Sequence, residues 1–253
     1  IFFYRFLIAY LGIWVISPKR LFTNNWQDEL WLVAGGIFGG SLYFFTENTA
    51  LGITQASNVS FIICTAPLLT TILSLLFYKS EKASKGLIYG SLLALMGVGL
   101  IVFNGSFVLK ISPIGDLLTL LAALSWAFYS LIIKKMAGRY PTIFITRKIF
   151  FYGVLTILPA FLLHPLHPDT VVLLQPAVLF NLLFLAVLAS LICYVLWNVV
   201  LKQLGTVRAS NYIYLNPLVT MIASFLILDE KITLVALGGA ACIVCGVYWA
   251  EKK

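Results

Sequence analysis

Apolar residues in this chain come in long runs rather than in strict alternation. Near-continuous hydrophobic stretches cover residues 1–17, 30–49, 57–78, 86–104, 116–136, 143–163, 177–200, 208–228 and 232–249, separated by short polar or basic breaks. Each approaches the ~20 apolar residues that one helix needs to cross a hydrocarbon core of ~30 Å. Lipid offers no partner to backbone N–H and C=O groups, so a spanning run of this kind folds as a helix. The pattern predicts nine transmembrane helices with little chain left for loops.

Composition agrees with the pattern. Hydrophobic residues make up 61% of the 253 residues, charged residues 10%, and the mean hydropathy is +1.01. A soluble domain carries roughly a quarter charged residues. The formal net charge of +8 raises the question of an acidic partner or nucleic acid, and its distribution answers it. Of the 17 basic residues, 14 fall after the first, third, fifth and seventh runs or at the C-terminus, Arg147 and Lys148 among them. Two, Lys110 and Lys231, lie on the opposite side, and Arg5 lies within a run. That is the positive-inside asymmetry of a membrane protein with a cytoplasmic C-terminus. No basic patch interleaves with aromatics as a nucleic-acid surface requires.

Metal, redox and catalytic chemistry find little footing. Cys64, Cys193, Cys242 and Cys245 all stand in apolar runs, where a thiol behaves as a small hydrophobe. The Cys242/Cys245 pair has no His or further Cys with it on its helix, and His164 and His167 fall in a proline-broken stretch. Neither histidine lies in a run, and Asp116, Asp169 and Asp229 sit at run boundaries. The chain therefore has no intramembrane acid pair, Ser/His pair or H-E-x-x-H on which hydrolysis could be built. The expectation is no enzyme, no cofactor and no metal.

An internal repeat organises the runs. LGITQASNVSFIICTAP at 51–67 is echoed by LGTVRASNYIYLNP at 204–217, and each is followed by an apolar stretch and a glycine-rich run. IFFY at 1–4 recurs at 149–152, a shift of 148. The second copy, residues 111–253, holds five runs; the first, residues 1–110, holds four and lacks a counterpart of GDLLTLLAALSWAFYSLIIKK. The expectation is an all-α polytopic bundle of two five-helix repeats, ten helices in the intact protein and about nine here, the first being absent. An odd number of spans per copy inverts one copy against the other. Inverted repeats of this kind are typical of secondary transporters, which rock one half against the other around a midplane site.

The stretches GDLLTLLAALSWAFYSLIIKK and YVLWNVVLKQLGTVRASNYIYLNPLVTMIASFLILDEKIT, with the glycine-rich closing helices, resemble the EamA-type permeases of the drug/metabolite transporter superfamily. The resemblance spans the whole chain. It implies a ten-helix permease of the bacterial inner membrane with both termini cytoplasmic, exporting amino acids, nucleosides or other small metabolites.

Polar and aromatic residues inside the runs are the candidates for solute contact, because they are expensive in lipid. Trp126, Tyr129 and Ser130 stand at i, i+3 and i+4, and Tyr194, Trp197 and Asn198 repeat that spacing, so each trio shares a helix face. Asn211 and Tyr214 lie one turn apart, and Tyr43 and Asn58 stand near the ends of neighbouring runs. Interfacial belts and helix-to-helix glue are the structural alternatives. Pro67 and Pro217 are candidate hinges and Glu47 a candidate coupling group, with a packing kink and a headgroup-level position as the alternatives. Arg5 is expected to snorkel to the outer interface, with a substrate anion or a structural partner as alternatives. Gly35/Gly39 and Gly36/Gly40 permit close helix packing inside the bundle or at a homodimer seam.

The scarcity of Lys and Arg inside the runs argues against a phosphate-ester substrate. It favours a neutral or zwitterionic solute with an apolar or aromatic part. A non-transporting scaffold or receptor, and a channel-like facilitator, are the competing readings.

Overall fold

The computed structural model describes residues 1–18, 22–23, 25–78, 84–103, 112–163, 173–228 and 232–252. Lys110, Lys231, His164 and His167 lie outside them. Every expected run is helical. They are α1 (Phe2–Ile16), α2 (Trp26–Gly36), α3 (Leu42–Ile53), α4 (Ala56–Ile63), α5 (Ala66–Phe77), α6 (Lys85–Phe103) and α7 (Pro113–Ala137). Then follow α8 (Thr142–Ile157), α9 (Ala160–Leu163), α10 (Pro176–Leu183), α11 (Cys193–Leu204), α12 (Thr206–Asn211), α13 (Asn216–Leu228) and α14 (Leu234–Glu251). No strand occurs among the described residues. Among the described residues, six stretches are long and apolar enough to cross a membrane: Ala56–Phe77, Lys85–Phe103, Pro113–Ala137, Pro176–Leu204, Thr206–Ile227 and Leu234–Glu251. The chain is an all-α polytopic membrane protein. Large apolar side chains such as Leu234, Ile227 and Leu226 stand exposed on its helices, as a lipid solvent requires.

Local chemistry sets the helix starts. Asn25 accepts from the Gln27 N–H at the head of α2, with Asp28 and Glu29 in the first turn, and Thr233 accepts from the Ala236 N–H at the head of α14. Gly205, at φ +81°, lets α11 end and α12 begin within one residue.

Four departures from regular α-helix matter for the site. A π segment, Ile37–Ser41, joins α2 to α3, and a longer one, Phe184–Ile192, joins α10 to α11. The run expected at 57–78 breaks between α4 and α5, and that at 208–228 passes through a 3-10 turn, Tyr212–Leu215, between α12 and α13. Pro67 and Pro217 each occupy the second position of the helix after the break, where a missing N–H breaks no hydrogen bond. The Ala-Ser-Asn triplet opens α4, whereas its repeat at 209–211 closes α12.

The chain folds as two compact units. The first comprises residues 1–44 and 128–203, the second 45–127 and 204–253. In the first, α8 packs against α1, α2 and the 37–41 segment, and α1 packs against the 184–192 segment. Gly36 lies on the Gly153 backbone and Gly39 beneath the ring of Tyr129, so the glycine stripe is used inside this unit. The second unit is built on α6 crossing α14, where glycines bring backbone onto backbone. A Cβ at Gly90 would stand 2.4 Å from the Gly246 carbonyl oxygen, and one at Gly97 2.5 Å from that of Gly239.

Candidate functional site

In the first unit, three residues predicted from the sequence meet in one buried layer. The Tyr129 hydroxyl donates to Asn198 Oδ1 at 2.7 Å, and Asn198 Nδ2 donates to Thr146 Oγ1 at 2.9 Å. Tyr194 donates its hydroxyl to the Gly39 carbonyl at 2.7 Å. All four side chains are buried. Gly39 is what lets Tyr129 come this close, since a Cβ there would fall 2.2 Å from the ring.

One stripe of the 176–204 stretch supplies these contacts: Tyr194 and Asn198, four residues apart, with Ser190 four residues earlier. Each π segment also offers a carbonyl to a side chain. Gly39 accepts from Tyr194, and Ala189 accepts from Arg5. A π turn loosens the regular i to i−4 bonding, which leaves carbonyls available in this way.

Around the layer lies an aromatic cluster. Phe6 meets Phe150 at 5.0 Å, Phe44 at 5.6 Å and Tyr194 at 5.7 Å between ring centroids, and Tyr194 meets Tyr129 at 6.0 Å. These tilted and edge-on contacts suit ring quadrupoles. Trp197 and Tyr43 are half-buried at its margin in sequence, and Tyr43 meets Phe44 edge-on at 4.9 Å.

The sequence reading missed the charged groups of this unit. Glu29 accepts from Lys148 Nζ, from the Tyr152 hydroxyl, and from Thr23 through its hydroxyl at 2.6 Å and its N–H at 2.9 Å. Asp28 accepts from Arg139 and, at 2.9 Å, from the Tyr140 hydroxyl. Tyr140 lies in the turn between α7 and α8, where loss of solvent and the Asp28 carboxylate push its phenol above the ordinary value. Arg147 donates to the Ser17 carbonyl. Arg147 and Lys148 are fully buried in α8, and Asp28 and Glu29 are buried in α2. The assignment of Arg147 and Lys148 to a basic loop is thus corrected. So is the count that leaves Arg5 alone among the basic residues within a run. The signal was present: an acid pair opens one run and a basic pair opens another, at ends that the charge asymmetry places on the same side.

The remaining candidates belong to the second unit. Asn211 and Tyr214 are buried, and Ser91 Oγ donates to Asn211 Oδ1 at 3.4 Å. Asn58 is buried in α4, Trp126 is half-buried in α7 and Glu47 half-buried in α3. Pro67 is buried at the head of α5. Pro217 lines a cavity of about 240 Å³ with Ser57, Ser60, Thr220, Met221 and Ser224. No group of three or more His, Cys, Asp or Glu side chains that could hold a metal occurs among the described residues.

Membrane-length apolar helices, broken where buried polar side chains gather, define the class of polytopic membrane proteins. The comparisons give the family: the sequence model of the EamA-like transporter family matches residues 1–103 and 113–250, and the chain belongs to that family. A relative in Archaeoglobus fulgidus, named an uncharacterized transporter, is 30% identical over 99% of this chain and 86% of its own. One in Escherichia coli, named a probable amino-acid metabolite efflux pump, is 23% identical over 96% of this chain and 81% of its own. A solved crystal structure, 17% identical, shares the fold with a TM-score of 0.79 over 99% of this chain and 84% of that one. The protein is a multi-pass membrane transporter of small molecules, not an enzyme.

Proposed function

We propose that the protein is a secondary carrier that exports a small neutral or zwitterionic metabolite, with an amino acid bearing an apolar or aromatic part as the best fit. The observation that carries this reading is the buried Tyr129–Asn198–Thr146 chain set against the Phe6–Phe150–Tyr194 cluster. It offers amide and hydroxyl groups to a solute's polar end and ring faces to its apolar end. In this conformation those groups bond to one another, so a solute must displace internal hydrogen bonds. A carrier that alternates between states has that property. The name of the Escherichia coli relative agrees with the substrate class.

The mechanism proposed is alternating access by two inverted five-helix repeats, residues 1–110 and 111–253. The helix interruptions support the repeat. The shift of 148 that aligns the two IFFY segments carries the 37–41 π segment onto 185–189, inside the second π segment. The same shift carries the break at 64–65 onto 212–213, inside the 3-10 turn. Trp126, Tyr129, Tyr43, Asn58, Tyr194, Trp197, Asn198, Asn211 and Tyr214 are the proposed solute contacts, and the breaks before Pro67 and Pro217 the proposed hinges. Glu47, half-buried in α3, is the proposed coupling group. A cytoplasmic C-terminus and a bacterial inner membrane are proposed as well, supported by the distribution of basic residues and the family's character. A homodimer remains a proposal without a designated surface.

Solute counterflow tests the reading. The full-length protein is reconstituted in liposomes preloaded with amino acids, nucleosides and drugs, and exchanging solutes are identified by mass spectrometry beside Trp197→Ala. Exchange of a defined solute that the variant loses is the expected result. No exchange from protein verified as folded and inserted would favour a scaffold or receptor, and flux without counterflow would favour a channel.

A further inference from the structure

Arg5 is held inside the first unit, not at its edge. Its Nε donates to Ser190 Oγ and an Nη to the Ala189 carbonyl at 3.5 Å, and its Cζ lies 4.6 Å from the centre of the Phe44 ring. Ser190 is buried and stands at the midpoint of the membrane-length stretch Pro176–Leu204. The half-buried guanidinium therefore faces the middle of that stretch and is tied to two of its groups.

None of its partners carries a negative charge: one is a hydroxyl, one a carbonyl dipole of the π segment, one an aromatic face. The described carboxylates of this unit, Asp28 and Glu29, are engaged by Arg139 and Lys148. Among the described residues, Arg5 takes part in no ion pair. A cation at mid-membrane is costly, and where one is retained it marks a substrate or ion path. The contacts also fix its orientation. With Nε and one Nη hydrogen bound, the Nη1 group and the second Nη2 hydrogen remain for an incoming acceptor, and the guanidinium fork matches a carboxylate. Phe44 stacks on Phe2 at 5.2 Å and meets Phe6 edge-on, so the charge sits beside the aromatic cluster that ends at Tyr194 and Tyr129.

We propose that Arg5 binds the carboxylate of the transported solute, whose apolar part lies against the Phe2, Phe6 and Phe44 rings. This rests on the carrier reading above and narrows its substrate class to carboxylate-bearing, apolar-tailed solutes, with zwitterionic amino acids included and uncharged solutes excluded. Ser190 and Ala189 are positioning groups that aim the guanidinium.

The test uses the full-length protein in lipid nanodiscs and two probes of nearly equal shape, 3-phenylpropionate and its neutral amide, 3-phenylpropanamide. Binding is read by calorimetry on wild type, Arg5→Gln and Arg5→Lys, with thermal unfolding as the control for folding. Wild type should bind the carboxylate on the order of 30-fold or more better than the amide, as a desolvated charge pair implies. Arg5→Gln should abolish that preference while leaving amide binding within about 3-fold, and Arg5→Lys, which keeps the charge but not the fork, should retain part of it. Equal loss of both probes in the folded variants, an undiminished preference, or no binding of 3-phenylpropionate to folded wild type overturns the assignment. Counterflow of L-phenylalanine separates the two levels. Arg5-dependent binding without counterflow sinks the carrier reading alone, whereas counterflow untouched by Arg5→Gln sinks the Arg5 assignment alone.

Discussion

The two units solve the problem of folding in lipid differently. The second brings backbones together: Gly90, Gly97, Gly239 and Gly246 let α6 and α14 meet with almost no side chain between them. The first gathers side chains that a membrane disfavours, namely a buried ion pair, a second pair whose arginine is exposed, an Asn, three tyrosines that hydrogen-bond there and an arginine without a counter-charge among its described neighbours. Association between helices in lipid rests on close packing and hydrogen bonds, and here each unit leans on one of the two. Close packing of glycines is indifferent to what the protein carries. Buried polar groups are not, which is why the first unit is the better place to look for specificity and the second the better place to look for rigidity.

Substitutions can break that contrast. Lys148→Met should have the largest effect, about 3–5 kcal/mol of stability, because it strands the Glu29 carboxylate in a buried site. The double variant with Glu29→Gln should recover most of that loss in thermal unfolding; if it is as unstable as the single variant, the pair is not the reason. Gly246→Ala places a Cβ 2.5 Å from the Ala94 nitrogen and the Gly90 carbonyl oxygen, and should cost about 1–3 kcal/mol by overpacking. Solute preference per folded molecule should not change, and a changed substrate profile in counterflow would blur the division between units. Asn198→Ala removes the acceptor of the Tyr129 hydroxyl and should cost about 1–3 kcal/mol, but with altered solute affinity as well. Thr233→Ala, which removes the cap of α14, should be smallest, about 1 kcal/mol of stability and nothing in transport.

How far the sequence could be read follows the same division. Helix positions were legible because a membrane imposes one length and one polarity, so all nine runs are helical. The trio Tyr194, Trp197 and Asn198 was legible from its spacing, which places Tyr194 and Asn198 on one stripe. The buried Lys148 and Arg147 were not. They follow a short turn and look like loop charges until Glu29 is brought to Lys148 and the Ser17 carbonyl to Arg147, each from more than a hundred residues earlier. The π segments left no periodicity to read, since nothing in FLAVLASLI distinguishes a π turn from an α turn. Arg5 was noticed but its partner was not, because Ser190 is 185 residues away.

The π segments also set how the protein responds to a change in chain length. A π turn holds one more residue than the α turn it replaces, so deleting a single residue from Phe184–Ile192 would let the stretch relax to regular helix with its flanking turns kept nearly in phase. The regular helix Cys193–Leu204 has no such slack, and there a lost residue swings whatever lies on one side by ~100° about the axis relative to the other. One codon lost between Tyr194 and Asn198 would turn Asn198 away from Tyr129 without removing either residue, whereas one lost from the π segment is absorbed.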